Sequence, residues 1–276
     1  MPFTLSAFGD EIASDLEDQL KLLVALDVRQ LDLRAAWDVN VLRMSDEQVA
    51  RVKKICAEYS VEVACIGSPI GKSPIVNPID GELANLRRIM EIAAMLGTKR
   101  IRIFSFYPPD ISTNAHYDQH VEDSAARLAQ LAEVAEKNGF SLLLENEKEV
   151  VGDTPERCLS LLRRVNNPAL RFIWDPANFV QVGVENQIEK FWDTLGTYVS
   201  YIHIKDARLA DGSVAPAGEG DGQVKDLLLK LKVGGYDGIL SLEPHLAVAG
   251  HSSGFSDKGG MTIAVNALRV LLAEIA

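Results

Sequence analysis

Four residues in the second half of the chain have side chains that together suit a divalent cation. Glu145 closes the apolar run "SLLLE", Asp175 follows "RFIW" in "FIWDPANF", His203 lies in "YIHIKDA", and Glu243 ends "LSLE" in "LSLEPH". The three leucines of "LLLENE" read as a strand buried on both faces, and such a strand has little reason to end in Glu145, Asn146 and Glu147. Three carboxylates and an imidazole offer hard oxygen donors and one nitrogen, with positions left for a bidentate substrate. Without a cation, carboxylates a few ångströms apart do not all stay ionised cheaply. Taken singly, each position reads equally well as a capping or salt-bridging residue at a strand end. The concurrence of four residues of ligand type is what points to a metal. The expected cofactor is one divalent ion, and the donor set accepts Mn²⁺, Mg²⁺, Co²⁺ or Zn²⁺ without choosing among them.

Something must bring these four together. β-rich runs at 4–8, 30–34, 61–67, 100–106, 141–145, 171–175, 199–204 and 238–243 alternate with amphipathic helical patterns. Ser14 with Glu17 and Ser45 with Gln48 have the spacing of capping boxes, and Thr154–Pro155 reads as a helix cap and first turn. Gly97, Gly139 and Gly196 close helices where a left-handed residue would turn the chain back. Eight strand–helix units without a long Pro- or Gly-rich linker predict an α/β fold, a (β/α)₈ TIM barrel forming a single domain over 1–276. An open doubly wound sheet fits less well, because no G-x-G-x-x-G follows the first strand. In such a barrel the C-terminal strand ends share one face, and Glu145, Asp175, His203 and Glu243 stand at four consecutive ends.

Composition bounds the function. With 47% hydrophobic and 24% charged residues, and no apolar run near the ~20 residues a membrane span needs, a membrane protein is not expected. The start, "MPFTLSAFGDEI", lacks the pattern of a secretory signal, so a cytoplasmic location is expected. Cys56, Cys65 and Cys158 are odd in number and lack C-x-x-C spacing, which predicts plain buried thiols. A net charge of −11 argues against a phosphate-backbone binder and favours a small sugar-like molecule over nucleic acid as partner.

The four strand-end motifs, with "SPIGK" at 68–72, "GDTPERC" at 152–158 and "PAGEGDGQV" at 216–224, resemble the xylose-isomerase-like barrel superfamily over nearly the whole chain. More narrowly they resemble its sugar phosphate isomerase/epimerase branch, which includes ketose 3-epimerases, hydroxypyruvate isomerase and inosose-processing enzymes. The resemblance implies that Glu145, Asp175, His203 and Glu243 are metal ligands and that Glu145 and Glu243 double as an acid/base pair on opposite sides of the substrate. It also implies a possible homo-oligomer. Ketose 3-epimerases often carry His three residues after the strand-six Asp, whereas "DPAN" places Asn178 there. Endonuclease IV shares the fold but needs a histidine-rich three-metal cluster, and only His203 and His245 lie on strand-end motifs here.

Other rim residues carry two readings each. Lys72 could hold a hydroxyl, phosphate or carboxylate, or be a solvated loop lysine. Arg34 could contact substrate or pair with Asp32 on the same strand face. Lys205 lies on the side of His203 and could touch substrate or balance the carboxylates; His245 could donate to substrate or cap its loop; Asn178 joins them as a substrate contact. Glu147 is the fallback acid or base, and Glu219 is expected to anchor the "GEGDG" loop. Phe8, Trp37, Phe106, Tyr107 and Phe179 suit core packing as well as sugar stacking. The expected activity is metal-dependent isomerisation or epimerisation of a keto-sugar, sugar phosphate or related polyol ketone through an enediolate. Dehydration of an inosose-like substrate, or a non-catalytic metal-containing sugar-binding barrel, are the alternatives.

Overall fold

The computed structural model describes residues 3–246 and 256–276. Eight parallel strands, β1 Thr4–Phe8, β2 Gln30–Leu33, β3 Glu62–Ile66, β4 Arg100–Ile103, β5 Ser141–Glu145, β6 Leu170–Trp174, β7 Val199–Ile204 and β8 Ile239–Leu242, follow one another around a closed barrel. The last strand pairs with the first, with Thr4 opposite Ile239 and Ala7 opposite Leu242. Outside run α1 Leu16–Ala25, α2 Asp46–Glu58, α3 Asp80–Leu96, α4 Val121–Lys137, α5 Pro155–Val165, α6 Gln187–Leu195, α7 Val224–Val233 and α8 Asp257–Glu274. The (β/α)₈ barrel predicted from the alternation is therefore what the chain forms. Among the described residues, no helix is long and apolar enough to cross a membrane.

Side-chain parity positions the site. Leu142, Leu144, Phe172, Trp174, Ile202, Ile204, Leu240 and Leu242 face outward into the large core shared with the helices. Their alternates Leu143, Ile173, Tyr201 and Ile239 fill the barrel with Ala64 and Cys65. Because parity has a period of two, the next inward positions are Glu145, Asp175, His203 and, beyond Ser241, Glu243. Burial on both faces thus explains the leucine run, and the end of the strand explains the carboxylate after it.

Local signals mostly hold, with instructive departures. Ser45 and Gln48 form the capping box of α2, and Thr154 caps α5 with Pro155 in its first turn. Helix α1 starts one residue later than the Ser14–Glu17 spacing implies: the Asp15 carboxylate accepts the Asp18 N–H, while the Ser14 carbonyl accepts the Trp37 N–H. Gly97 and Gly139 are left-handed, but Gly196 has φ −58° and opens a 3₁₀ turn against the Trp192 ring. Strand β4 stops short of the predicted 100–106 because Phe104 and Phe106 donate their N–H groups to Ile70 and Gly71 in the loop after β3. The three cysteines are buried free thiols.

Candidate metal centre

Glu145, Asp175, His203 and Glu243 each offer a ligand atom, and these atoms all lie within 4.8 Å of one another. All four side chains are buried. Asp175 is fixed on two sides: its Oδ1 accepts the Asn178 N–H at 3.0 Å as cap of the short helix Pro176–Gln181, and its backbone exchanges two hydrogen bonds with the Asn146 amide, both 2.9 Å. Asn146, the second residue of the unexplained "ENE", is therefore the clamp between β5 and β6.

Charge balance inside the site is tight. His203 Nδ1 lies 2.8 Å from Glu145 Oε1 and 3.4 Å from Glu243 Oε2. Burial alone would lower the imidazole pKa, but the Glu145 and Glu243 carboxylates outweigh it and push it up to about 10. Burial would raise Glu145, and the His203 and Arg102 charges hold it below its ordinary value instead. Glu243 is likewise driven well below the usual carboxylate range against its burial, by His203, His245, Lys205 and Arg34. At Asp175 burial wins over Lys205 and moves the carboxyl up to about 6.

The donors fit a metal on an observation independent of their types. Glu145 Oε2, Asp175 Oδ2 and His203 Nε2 are all buried, and none has a hydrogen-bond partner among the described residues. Glu145 Oε2 and Asp175 Oδ2 face only an ion-pair partner, Arg102 at 3.3 Å and Lys205 at 3.5 Å, and His203 Nε2 has neither. Buried polar atoms without a hydrogen bond are rare and costly, and three among four candidate ligands suit a cation.

Arg34, Asn178, Lys205 and His245 gather around this centre. Arg34 pairs with Asp10 at 2.7 Å, Glu11 at 2.7 Å and Glu243 at 2.6 Å. The Arg34–Asp32 pair, one of the two readings of Arg34, does not form, because Asp32 sits lower in the barrel and accepts from Ser6 and Tyr201, each at 2.6 Å. Lys205 Nζ donates to Asn178 Oδ1 at 2.9 Å and lies 3.5 Å from Asp175 Oδ2, so Asn178, Lys205 and Asp175 form one unit. His245 is 3.2 Å from Glu11 and 3.7 Å from Glu243. Lys72 and Glu147 pair with each other at 2.8 Å, apart from the four-ligand cluster. Glu219 is exposed and does not anchor its loop; the buried Asp206 does, accepting the N–H groups of Gly218, Gly220 and Gly222. Phe8, Phe106 and Phe179 are fully buried, and Phe8 meets His203 edge-on at 5.2 Å between centroids.

Sequence reasoning passes over Arg102, Asp10 and Glu11. "AFGDEI" carries the same signal as "LLLENE", acids just past a strand. Arg102 gives no such signal, because in "RIRIF" it reads as one of two polar alternates; only its register opposite Leu143 turns it inward. Its Nη1 lies 3.3 Å from Glu145 and 3.5 Å from Glu243.

Residues 21–259 match the profile of the xylose isomerase-like TIM barrel family. The chain belongs to that family. An uncharacterised protein of Methanocaldococcus jannaschii is 26% identical over 219 residues, covering 75% of this chain and 74% of that one. The IOLI protein crystallised with a zinc atom superposes with a TM-score of 0.80 at 16% identity, over 99% of each chain. D-psicose 3-epimerase from Clostridium cellulolyticum, solved with D-tagatose, gives 0.76 at 15% identity, again over 99% of both. At such identities the structures speak for the fold.

Proposed function

We propose that this protein is a divalent-metal-dependent isomerase or epimerase of a keto-sugar, sugar phosphate or related polyol ketone. The observation that carries the reading is the set of four candidate ligands on four consecutive strand ends, with ligand atoms within 4.8 Å of one another and three buried atoms that make no hydrogen bond among the described residues. The family supports it, since one structural relative holds zinc and another is an epimerase solved with a ketose. A cation held by Glu145, Asp175, His203 and Glu243 would supply Lewis-acid polarisation of a carbonyl and its adjacent hydroxyl.

The chain's own residues do the rest. Glu145 ends β5 and Glu243 follows β8, and the two serve as the proton-transfer pair: one carboxylate takes the proton from the carbon next to the carbonyl, and the same or the other returns it. Return to the same carbon from the opposite side gives the epimer; return to the neighbouring carbon, with hydroxyl proton transfer, gives the isomer. Arg102, beside both carboxylates, stabilises negative charge as it moves from carboxylate to substrate oxygen. Asn178 orients Lys205 toward the same space.

The test is elemental analysis of the purified protein beside an Asp175→Asn, His203→Ala double variant, followed by a screen of hydroxyketones for deuterium uptake from solvent at the α-carbon. About one divalent ion per chain, lost in the folded variant, with exchange in at least one ketose, is the expected result. A wild type that stays metal-free after dialysis against Mn²⁺, Co²⁺ and Zn²⁺ refutes it.

A further inference from the structure

Glu145 and Glu243 carry the same carboxylate but are held differently. Glu145 Oε1 lies 2.8 Å from His203 Nδ1, and its Oε2 makes no hydrogen bond among the described residues, with Arg102 standing off at 3.3 Å. Glu243 turns Oε2 toward His203, at 3.4 Å, while its Oε1 accepts a hydrogen bond from Arg34 Nη1 at 2.6 Å. Arg102 and His245 lie 3.5 and 3.7 Å from that same Oε1. Two guanidinium groups repel a divalent ion from Oε1. Glu243 therefore has Oε2 to offer a metal, and the oxygen left to meet a substrate is the one Arg34 holds.

That hold is rigid. All three nitrogens of the guanidinium are engaged, Nε with Asp10 at 2.7 Å, Nη2 with Glu11 at 2.7 Å and Nη1 with Glu243. Glu11 is fixed in turn, its Oε2 accepting the Ser256 hydroxyl at 2.9 Å and the His245 N–H at 3.3 Å. A proton arriving from carbon at Glu243 Oε1 has to displace a group anchored by three charge-assisted hydrogen bonds. Glu145 has no such guard: its hydrogen-bond partner among the described residues is His203, itself a candidate ligand.

We propose that Arg34 is a positioning residue that withholds Glu243 from proton transfer, leaving Glu145 as the single base, so that the reaction is ketone–aldehyde isomerisation rather than epimerisation. This rests on the metal-centre reading above and selects between the two returns of the proton left open there. Glu145 removes a proton from the hydroxyl-bearing carbon beside the carbonyl; the C–H electron pair becomes the double bond of the enediolate, and the carbonyl pair moves onto oxygen. The hydroxyl proton crosses to the neighbouring oxygen, and Glu145 returns its own proton to the former carbonyl carbon, on the face it came from. Inversion at one carbon needs a donor on the opposite face of the planar enediolate, which a single carboxylate does not provide.

The experiment incubates the Mn²⁺-loaded protein in D₂O with dihydroxyacetone, dihydroxyacetone phosphate or D-fructose, each with a hydroxymethyl group beside its carbonyl, and reads the recovered sugar by proton NMR. One hydrogen of that hydroxymethyl group should exchange at least about 100-fold faster than the other, the reach of one positioned base, and the product that accumulates should be the aldehyde sugar. Arg34→Met frees Glu243 Oε1, so the second hydrogen should then exchange within about tenfold of the first. Calorimetry should show that variant binding Mn²⁺ at least as tightly as the wild type, because a competing cation is gone; loss of structure produces neither change. If Arg34→Met does not fold, the wild-type stereochemistry decides alone. Both hydrogens exchanging at similar rates in the wild type, a C3 epimer as product, or an Arg34→Met protein as selective as the wild type overturns the single-base reading alone. No exchange in any of the three ketones overturns the enediolate chemistry, and failure to take up Mn²⁺ overturns the metal centre, each taking this inference with it.

Discussion

If the proposed centre holds a metal ion, protons compete with it for His203, and the competition is measurable. Glu145 and Glu243, outweighing burial, push the imidazole up to about 10, whereas a metal requires it neutral. Near pH 7 the proton is held about three pH units below that pKa, so the apparent affinity for a divalent ion is roughly 1000-fold under its limit and climbs about tenfold per pH unit toward pH 10. Asp175, raised to about 6 by burial despite Lys205, must shed a second proton below that pH. The slope of log affinity against pH is then about one between pH 6 and 10 and about two below pH 6. Calorimetric titration with Mn²⁺ in buffers of different ionisation enthalpy counts the protons directly: close to one released near pH 7, close to two near pH 5. An affinity flat across pH 6–8.5 with no proton released would refute the reasoning.

The same shifts fix how stability of the metal-free protein depends on pH. The folded-state pKa of His203 lies above its unfolded value of 6.5, so its contribution is complete below 6.5 and is lost as pH rises through about 10. The loss is on the order of 5 kcal/mol. Asp175 departs from the usual carboxylate pattern: its folded pKa is raised, so stability falls as pH climbs from about 4 to about 6. Metal-free Tm therefore declines with alkalinity, while the metal-loaded protein, with no proton left on His203, holds its Tm over the same range.

Three further perturbations separate scaffold from site. Gly71→Ala forces a φ of +81° on alanine and puts its Cβ 2.0 Å from the Phe104 carbonyl oxygen; denaturant melts should show a loss of about 3 kcal/mol or more. Asp206→Ala strips the acceptor from the Gly218, Gly220 and Gly222 amides; about 2–3 kcal/mol should go, with faster hydrogen exchange at those three amides, and unchanged protection there would refute the anchor. Ser45→Ala removes one half of the exposed capping box of α2 and should cost about 1 kcal/mol in a thermal melt without changing metal content.

How much of this was legible in the chain depends on whether a feature is local. Strand parity and caps are local, so the eight strands, the Ser45 box and the four ligand candidates can be read from neighbouring residues. Asp32 shows where that stops. Alternation correctly places it on the same face as Arg34, yet the two do not meet, because depth within a barrel is set by register between strands: Phe8 stands opposite Asp32, and Ser6 and Tyr201 take its carboxylate. Arg102 is the stronger case. Nothing in "RIRIF" distinguishes Arg102 from Arg100, but the β4–β5 register sets the first opposite Leu143 and the second opposite Ser141 at the strand's start. Arg102 is 5% exposed and reaches Glu145 and Glu243, whereas Arg100 remains exposed. Two residues of displacement along a strand, about 6–7 Å, separate a solvated arginine from one that shapes the charge of the centre. The ligands of such a site are written in the strand ends, and the cations that tune it are written in the register.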